Sequence, residues 1–236
     1  MKKLSVIEVR FLPYLEAAAL LRRYGIPLAP AHLVQSPSEA LAAAAALGYP
    51  VALKAISAEA THKSDVGLLH LNLDDDEALL AAAAELLPLG RALSMEGLLV
   101  QAMVPPGVEM IAGVTHDDQF GPVLALGSGG ILVELLEDVV LRLPPLRAAQ
   151  ARRMVEATRS WPLLQGFRSQ PPADVPALVE LLVNLSRLAL AEGERLVSLD
   201  LNPVIVLAPG QGVQIVDLRL AVKDTMDQEV KPNVSS

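Results

Sequence analysis

The sequence predicts an α+β fold of two lobes with a small-molecule cleft between them. The chain has 236 residues, and 52% of them are hydrophobic, which is enough for a sizeable core. Helix–helix–strand–loop–strand–helix patterns fill residues 12–96, and mostly antiparallel strands backed by two helices fill residues 97–222. We expect a polar tail over residues 223–236. A cleft between two lobes is the natural site for a small ligand.

Capping residues and breakers define the first lobe. Apolar residues at helical spacing predict a helix from Leu12 to Tyr24, which Gly25 ends. Ser36 as N-cap and Glu39 three residues later form a capping box at the start of an alanine-rich helix. The elements that follow are a strand at 51–56, a polar loop, a strand at 67–73, and a helix that the acidic run at 74–77 opens.

Residues 1–11, before the first lobe, are predicted to be a short lead-in. Strand patterns dominate the second lobe. The predicted strands and helices are a strand at 97–104, its neighbour at 108–115, a hairpin into 122–126, helices at 147–160 and 174–192, and a final hairpin of 195–207 with 212–220.

Composition excludes several classes of function. Acidic residues outnumber basic ones by 27 to 19, which argues against non-specific nucleic-acid binding. The absence of cysteine excludes disulfides, thiolate nucleophiles and cysteine-based zinc sites. No uncharged apolar run approaches the roughly 20 residues that cross a bilayer, and no signal peptide is recognisable. We therefore expect a cytoplasmic protein without membrane association.

A lysine and a polar loop in the first lobe suggest phosphate chemistry. Lys54 interrupts an otherwise apolar strand, and a buried lysine costs desolvation free energy unless it meets an anion. The following loop, from Thr61 to Gly67, combines a nucleophile, a cation, an acid and a turn glycine. Its His62 can act as a nucleophile near neutral pH, so a phosphohistidine could form beside bound phosphates. The structural alternatives are a lysine that extends to the strand end and a solvated histidine.

Polar side chains on two late strands predict a metal site. Asp200 and Asn202 lie two residues apart and so point to the same face of one strand. Asp217 lies on the partner strand, opposite or diagonal to them. Oxygen ligands beside a phosphate site suit Mg²⁺, which takes one or two carboxylates and leaves room for phosphate oxygens. The alternative is a set of edge-strand polar residues that face water.

Two further segments are candidates for contact with a nucleotide. If the lobes meet at Gln101–Val104, this strand would bind a purine through its backbone, with Met103 packed on the ring. Glu109 on the next strand could reach the ribose or a phosphate-bound metal, or could be solvated. The Gly-Ser-Gly-Gly run at 127–130 lacks the Walker A and GxGxxG patterns. It is either a tight turn or a nest of backbone N–H groups beside a ligand.

In their order and spacing, five segments resemble the ATP-grasp domain of the ADP-forming acyl-CoA synthetases, in the form with a separate β subunit. The resemblance extends from about Leu12 to Val222 and implies a two-lobed ATP-grasp fold with ATP between the lobes. The segments are LLRRYGIPLAP, LGYPVALKAIS, THKSDVG, GVEMIAGVTHDDQFGPVLALGSGGILVELLEDVVLRLPPL, and LDLNPVIV with QIVDLRL.

The resemblance also implies a reaction and roles for particular residues. The reaction is acyl-CoA + ADP + phosphate ⇌ acid + CoA + ATP. A partner α subunit binds CoA and passes a phosphoryl group to the β subunit, which transfers it to ADP. The implied roles are phosphate contact for Lys54, phosphoryl relay for His62, nucleotide binding for the loop glycine Gly67, adenine binding for Gln101–Val104, and magnesium binding for Asn202 and Asp217 with Asp200 nearby.

The chain departs from the family pattern at four positions. Ala18 replaces a common helix lysine, Leu68 the second glycine of the loop ending, Ser198 a common glutamate, and Ser169 a glycine. These changes motivate a second hypothesis, a decayed ATP-grasp module that acts as a nucleotide-binding regulatory or structural subunit. A third hypothesis is a carboxylate–amine or carboxylate–thiol ligase of the same fold.

Overall fold

The computed structural model describes residues 4–57, 68–89, 94–130, 138–168 and 171–228, with the backbone alone at 4–7 and 225–228. The elements of its first half alternate between strands and helices. They are β1 (Leu4–Phe11), α1 (Tyr14–Arg23), β2 (Ala31–Val34), α2 (Pro37–Leu47), β3 (Val51–Ser57), β4 (Leu69–Leu73), α3 (Asp76–Leu86) and β5 (Met95–Ala102).

Long strands and one long helix make up the second half. Its elements are β6 (Val108–Asp117), β7 (Gly121–Ser128), β8 (Val139–Arg142), α4 (Ala148–Glu156), α5 (Trp161–Leu164), α6 (Val175–Glu192), β9 (Leu196–Val206), β10 (Val213–Ile215) and β11 (Leu218–Gln228).

These strands form two antiparallel sheets. The small sheet has the order β2-β5-β3-β4, and the large sheet has the order β1-β11-β9-β6-β7-β8, with β10 paired to β9. Helices α2 and α3 pack on the small sheet, whereas α6 packs on the large sheet with α4 against it. Each sheet therefore has its own hydrophobic core on its helix-covered face.

Sheet membership divides the chain differently from the predicted boundary at residue 96. β5 continues past that position and pairs with both β2 and β3, so the chain crosses to the large sheet only after Ala102. The lead-in at 1–11 also differs from the prediction, because β1 pairs with β11 at the edge of the large sheet. The predicted polar tail from residue 223 begins within β11, which continues to Gln228.

The predicted starts of α2 and α3 are confirmed, but only one of the two bonds of the predicted capping box at Ser36 forms. The Ser36 hydroxyl accepts the Glu39 N–H at 3.3 Å. The Glu39 carboxylate accepts the N–H of Gln35 at 2.7 Å, one residue before the N-cap. Asp75 caps α3 by accepting the Ala78 N–H at 2.8 Å. In the described part of the chain, no helix is both long and apolar enough to cross a membrane.

Candidate functional site

Two buried polar side chains of the small sheet meet one backbone carbonyl of the large-sheet half of the chain. Lys54 on β3 and Gln101 on β5 are only 3% and 2% exposed. The Lys54 ammonium donates a hydrogen bond to the Val216 carbonyl at 2.9 Å, and the Gln101 amide donates to the same oxygen at 3.1 Å. Asp217 is the next residue. The structure thus brings predicted phosphate, purine and metal residues to one junction between the sheets.

The alternation of β3 explains how a lysine comes to lie there. Every residue of β3 is buried, because the helices cover one face and the large sheet approaches the other. Val51, Leu53 and Ala55 belong to the small-sheet core, so Lys54 must point to the opposite face. Gln101 pairs with Ala52, one alternation away, and therefore shares that face with Lys54. The site is built from the second, cleft-facing side of the small sheet.

The predicted purine segment forms the link between the two sheets. β5 ends at Ala102, and Met103 and Val104 are half-buried before the chain enters β6 at Val108. The Ala102 N–H donates to the Pro30 carbonyl at 2.9 Å, and the Met103 N–H is 3.4 Å from the Pro50 carbonyl. These bonds to the Pro30 and Pro50 carbonyls hold the segment in place between the two sheets.

The three predicted metal ligands lie together on β9 and before β11. Asp200 and Asn202 are exposed on the same face of β9, and the Asn202 N–H donates to the Asp217 carbonyl at 3.2 Å. The carboxylate of Asp217 accepts the Leu218 N–H at 2.9 Å. Between the pairs Met110–Val204 and Ala112–Leu201, β9 carries one more residue than β6, so a bulge lies at Asn202–Pro203. Bulges of this kind commonly re-aim side chains beside active sites.

The electrostatics of this cluster suit a cation. Partial desolvation raises the pKa of Asp200 although solvent reaches the side chain, the negative charge of Asp217 raises it further, and Arg219 opposes the shift. No group of three or more His, Cys, Asp or Glu residues forms a metal centre in the described ranges. The set is instead two carboxylates and one amide, which fits Mg²⁺ because Mg²⁺ uses few protein ligands beside phosphate.

The glycine run at 127–130 packs closely against Glu109 rather than forming an open nest. The Gly129 N–H donates to the Glu109 carbonyl at 2.9 Å. A Cβ at Gly129 would lie 2.8 Å from the Glu109 carbonyl carbon, and one at Gly130 would lie 2.6 Å from the Glu109 Oε2. Gly129 is therefore required for the approach of the two backbones, and Gly130 has a φ of +63°, which L side chains rarely adopt. The exposed Glu109 carboxylate lies over Gly130.

Several residues named in the sequence analysis are not among the described residues of the candidate site. His62, Gly67 and Ser169 lie outside the described residues. Ala18 and Leu68 are fully buried in the two cores, so apolar packing accounts for both.

The sequence interpretation did not single out Arg219, although it lies directly opposite Asp200. The sequence feature that could have identified Arg219 is its position, two residues after Asp217 at the start of the last strand. Tyr14 and Glu96 were also not singled out, and the Glu96 carboxylate accepts the Tyr14 N–H at 2.7 Å. Nothing in the sequence links these two residues, because they lie in different segments.

The two sheets and the cleft between them define a nucleotide-binding domain of the ATP-grasp class. The family model described as an ATP-grasp domain matches residues 8–222. The β subunit of acetate–CoA ligase [ADP-forming] II from Pyrococcus furiosus is 38% identical over 212 residues, which cover 88% of this chain and 90% of that protein. Acetate–CoA ligase [ADP-forming] I of Archaeoglobus fulgidus is 39% identical over 92% of this chain, which spans 31% of that longer protein.

Solved structures agree with these relatives. Acetyl-coenzyme A synthetase 1 of Ca. Korarchaeum cryptofilum, with coenzyme A and Ca-AMPCP, has a TM-score of 0.83 and 37% identity, covering 90% of this chain and 93% of that one. Another structure of it, with coenzyme A and Mg-AMPPCP, has a TM-score of 0.78 and 36% identity over the same shares. Its phosphohistidine segment is described as pointing towards the nucleotide binding site. This chain belongs to the family of ATP-grasp β subunits of ADP-forming acyl-CoA ligases, which are acid–thiol ligases. The predicted fold and family are confirmed, and the ligase hypothesis is supported over the non-catalytic one.

Proposed function

We propose that this chain binds ADP or ATP in its cleft and transfers a phosphoryl group between His62 and the nucleotide. The reaction served is acyl-CoA + ADP + phosphate ⇌ acid + CoA + ATP. The observation that carries the proposal is the junction at Val216, where buried Lys54 and Gln101 converge beside Asp217. A cation that is buried before any ligand arrives is already in place for phosphate oxygens, which reduces the reorganisation needed on binding.

The other nucleotide-binding roles are proposed from the position of each residue along the cleft. The linking segment Gln101–Val104 would hold the purine, with Met103 packed on the ring. Glu109, above Gly130, would lie near the ribose or the phosphates. Gly67 would close the loop that carries His62. In one direction the imidazole nitrogen of His62 attacks the γ-phosphorus of ATP, so that a P–N bond forms and ADP leaves. In the other direction a β-phosphate oxygen of ADP attacks the phosphohistidine, and the P–N bond breaks.

Asp200, Asn202 and Asp217 would hold Mg²⁺. When bound there, Mg²⁺ would neutralise charge on the phosphate groups. The pKa of Asp200 is raised first by partial burial and then by the charge of Asp217, and a cation bound between the two carboxylates would offset both effects. The relatives named as β subunits imply a second subunit. We propose that this partner is an α subunit that binds CoA and the acid.

Phosphorylation of the full chain tests this function. The chain is incubated with [γ-³²P]ATP and Mg²⁺, and ADP binding is measured separately by calorimetry. We expect acid-labile, base-stable label that added ADP removes as ATP. His62→Asn should lose the label while keeping ADP affinity, whereas His32→Asn, which changes an exposed histidine on β2, should label like the wild type. A His62→Asn chain that is labelled normally would contradict the relay.

A further inference from the structure

A network of buried polar side chains lies on the core side of the glycine run at 127–130. Leu124 and Leu126 alternate into the core of the large sheet, and Ser128 continues that alternation at a position typical of an apolar residue. Ser128 is 3% exposed, and Asp138, immediately before β8, is 9% exposed. Buried polar groups need hydrogen-bond partners, so the contacts of these two residues indicate their role.

The hydrogen bonds of this network run in one direction. The Ser128 hydroxyl donates to the Asp138 carboxylate at 2.6 Å. Because a hydroxyl has one proton, the hydrogen bond between the Ser128 and Ser160 hydroxyls is donated by Ser160. Both oxygens of Asp138 also accept the Arg159 N–H, each at 2.9 Å. Ser128, Asp138 and Ser160 form the Ser128 network, which joins the end of β7 to the start of β8 and to the turn before α5.

The two glycines after Ser128 connect this network to the cleft face of the sheet. The Ser128 N–H donates to the Asp138 carbonyl at 3.3 Å, and the next N–H, that of Gly129, donates to the Glu109 carbonyl at 2.9 Å. The Glu109 carboxylate lies over Gly130, where a Cβ would come within 2.6 Å of its Oε2 atom. A shift of Ser128 would therefore displace the backbone against which this carboxylate lies.

The position of Glu109 along β6 favours contact with a ribose. Met110 belongs to the core, so Glu109 faces the cleft, where it is exposed. Glu109 lies at the end of β6 that follows the purine segment Gln101–Val104. Asp200 instead pairs with Gly113, which lies four residues, or about 13 Å, further along β6. A nucleotide whose purine contacts that segment would bring its ribose hydroxyls, rather than the metal beside Asp200, to Glu109.

We propose that Ser128, Asp138 and Ser160 are positioning residues for nucleotide binding. They fix the backbone of Gly129 and Gly130, so that the Glu109 carboxylate is held where it accepts hydrogen bonds from the ribose. This inference rests on the proposed function, in which Glu109 contacts the nucleotide. All three network residues are buried, and they act through Glu109.

The test compares the binding of ADP with that of its dideoxy analogue, which lacks both ribose hydroxyls, by calorimetry on the full chain with Mg²⁺. Since hydrogen bonds to a charged acceptor contribute strongly, the wild type should bind ADP about 30-fold more tightly than the analogue. Glu109→Ala should remove most of this affinity ratio. Ser128→Ala should lower the ratio at least about threefold, because the glycine backbone is no longer tied to Asp138.

Thr158→Val is the matched control. Thr158 is a buried residue two positions before Ser160, and its hydroxyl donates to the Val155 carbonyl at 2.8 Å. The variant should lose stability but keep the affinity ratio. The ratio separates positioning from stability, because a chain that is only less stable changes the apparent affinity for both ligands equally.

Two further variants show whether the network acts through Glu109. In the Glu109→Ala background, Ser128→Ala should have no additional effect on the ratio, since residues that act through one another are not additive. Ser160→Ala leaves the bond between Ser128 and Asp138 in place and should lower the ratio less than Ser128→Ala does. If Ser128→Ala does not fold, the ratio in Ser160→Ala decides between the outcomes.

The outcomes distinguish this inference from the function on which it rests. A wild-type chain that binds neither ligand would overturn the proposed function. A wild-type chain that binds both ligands equally well would overturn the ribose contact, and with it the positioning role, while nucleotide binding stands. An unchanged ratio in Ser128→Ala and Ser160→Ala, an equal loss in Thr158→Val, or a further loss in the double variant would overturn the positioning role alone.

Discussion

β3 and β9 both present charged side chains to the cleft, but they do so in opposite ways. β3 is buried along its whole length, and Lys54 is enclosed between the two sheets. In the middle of β9, Leu199 and Leu201 are buried, whereas Asp200 and Asn202 on the other face are open to solvent. The cation is therefore enclosed and hydrogen-bonded before a ligand binds, whereas the Asp200 carboxylate is reached by solvent, partly desolvated and repelled by Asp217.

This difference indicates how the cleft is prepared for a nucleotide. Burial of an ammonium group carries a desolvation free-energy cost, and the hydrogen bond from Lys54 to the Val216 carbonyl offsets part of it. The exposed Asp200 carboxylate is instead open to solvent, and the bulge at Asn202–Pro203 lies next to it on the strand. We therefore expect substitutions on β3 to affect nucleotide affinity most, and substitutions on β9 to affect metal and pH dependence.

Lys54→Met should produce the largest effect. Methionine keeps the bulk of the buried side chain but removes the charge, so ADP should bind at least about 30-fold more weakly, since hydrogen bonds to charged groups contribute about 2 kcal/mol. Lys223→Met is the matched control, because Lys223 is a half-buried lysine on β11 opposite Val9 and away from the cleft. Calorimetry measures both. Unchanged ADP affinity in Lys54→Met would show that the buried lysine of β3 does not determine nucleotide affinity, contrary to the contrast drawn with β9.

Asp200→Asn should have an effect of intermediate size, which is a change in thermal stability that depends on pH. Its raised pKa means that folding favours the protonated carboxyl, so ionisation destabilises the fold as pH rises through the folded pKa. Asparagine cannot ionise, and the variant should unfold at a higher temperature than the wild type without Mg²⁺ at neutral pH. The gap should vanish at low pH, where the wild-type carboxyl is protonated.

Thermal unfolding across pH, with and without Mg²⁺, checks this prediction. Mg²⁺ should raise the unfolding temperature of the wild type and do so much less in Asp200→Asn. If the variant is less stable at neutral pH, or if Mg²⁺ stabilises both chains equally, then Asp200 and Asp217 do not form a repelling pair that a cation would stabilise.

Gln101→Leu should have the smallest effect of the three substitutions, and that effect is on the free energy of unfolding. It removes the second donor to the Val216 carbonyl while Lys54 remains, so the free energy of unfolding should fall by about 1 kcal/mol. Urea unfolding measures this loss. Gln214→Leu, at a half-buried glutamine of β10, serves as the control and should lose less. A larger loss than that of Lys54→Met would show that Gln101 is the main link between the sheets.

Local signals in the sequence predicted most of the fold. The helix starts at Ser36 and Asp75 follow from side chains that cap nearby N–H groups, which needs no knowledge of tertiary structure. The assignment of β1 and of the end of β11 was wrong for the opposite reason. Each is a strand only because it pairs with the other. Strand pairing over such a distance leaves no mark in a local pattern.

The candidate site shows the same division. Lys54 was predictable because a charge within an apolar strand is anomalous wherever it occurs. Its partner was not, because the acceptor is a backbone carbonyl, and Val216 as a residue type carries no signal for that role. Arg219 was missed because an arginine on a late strand is usually solvated, and only the register shows that it lies opposite Asp200.

The pairing of β1 with β11 also has a consequence for synthesis of the protein. Arg10 contacts Asp224, which is 214 residues further along the chain. At about 5 to 20 residues per second, roughly 10 to 40 seconds pass between translation of the two strands. During that interval β11, which lies between β1 and β9 in the sheet, has not been made, and β1 leaves the ribosome with its backbone unpaired by β11.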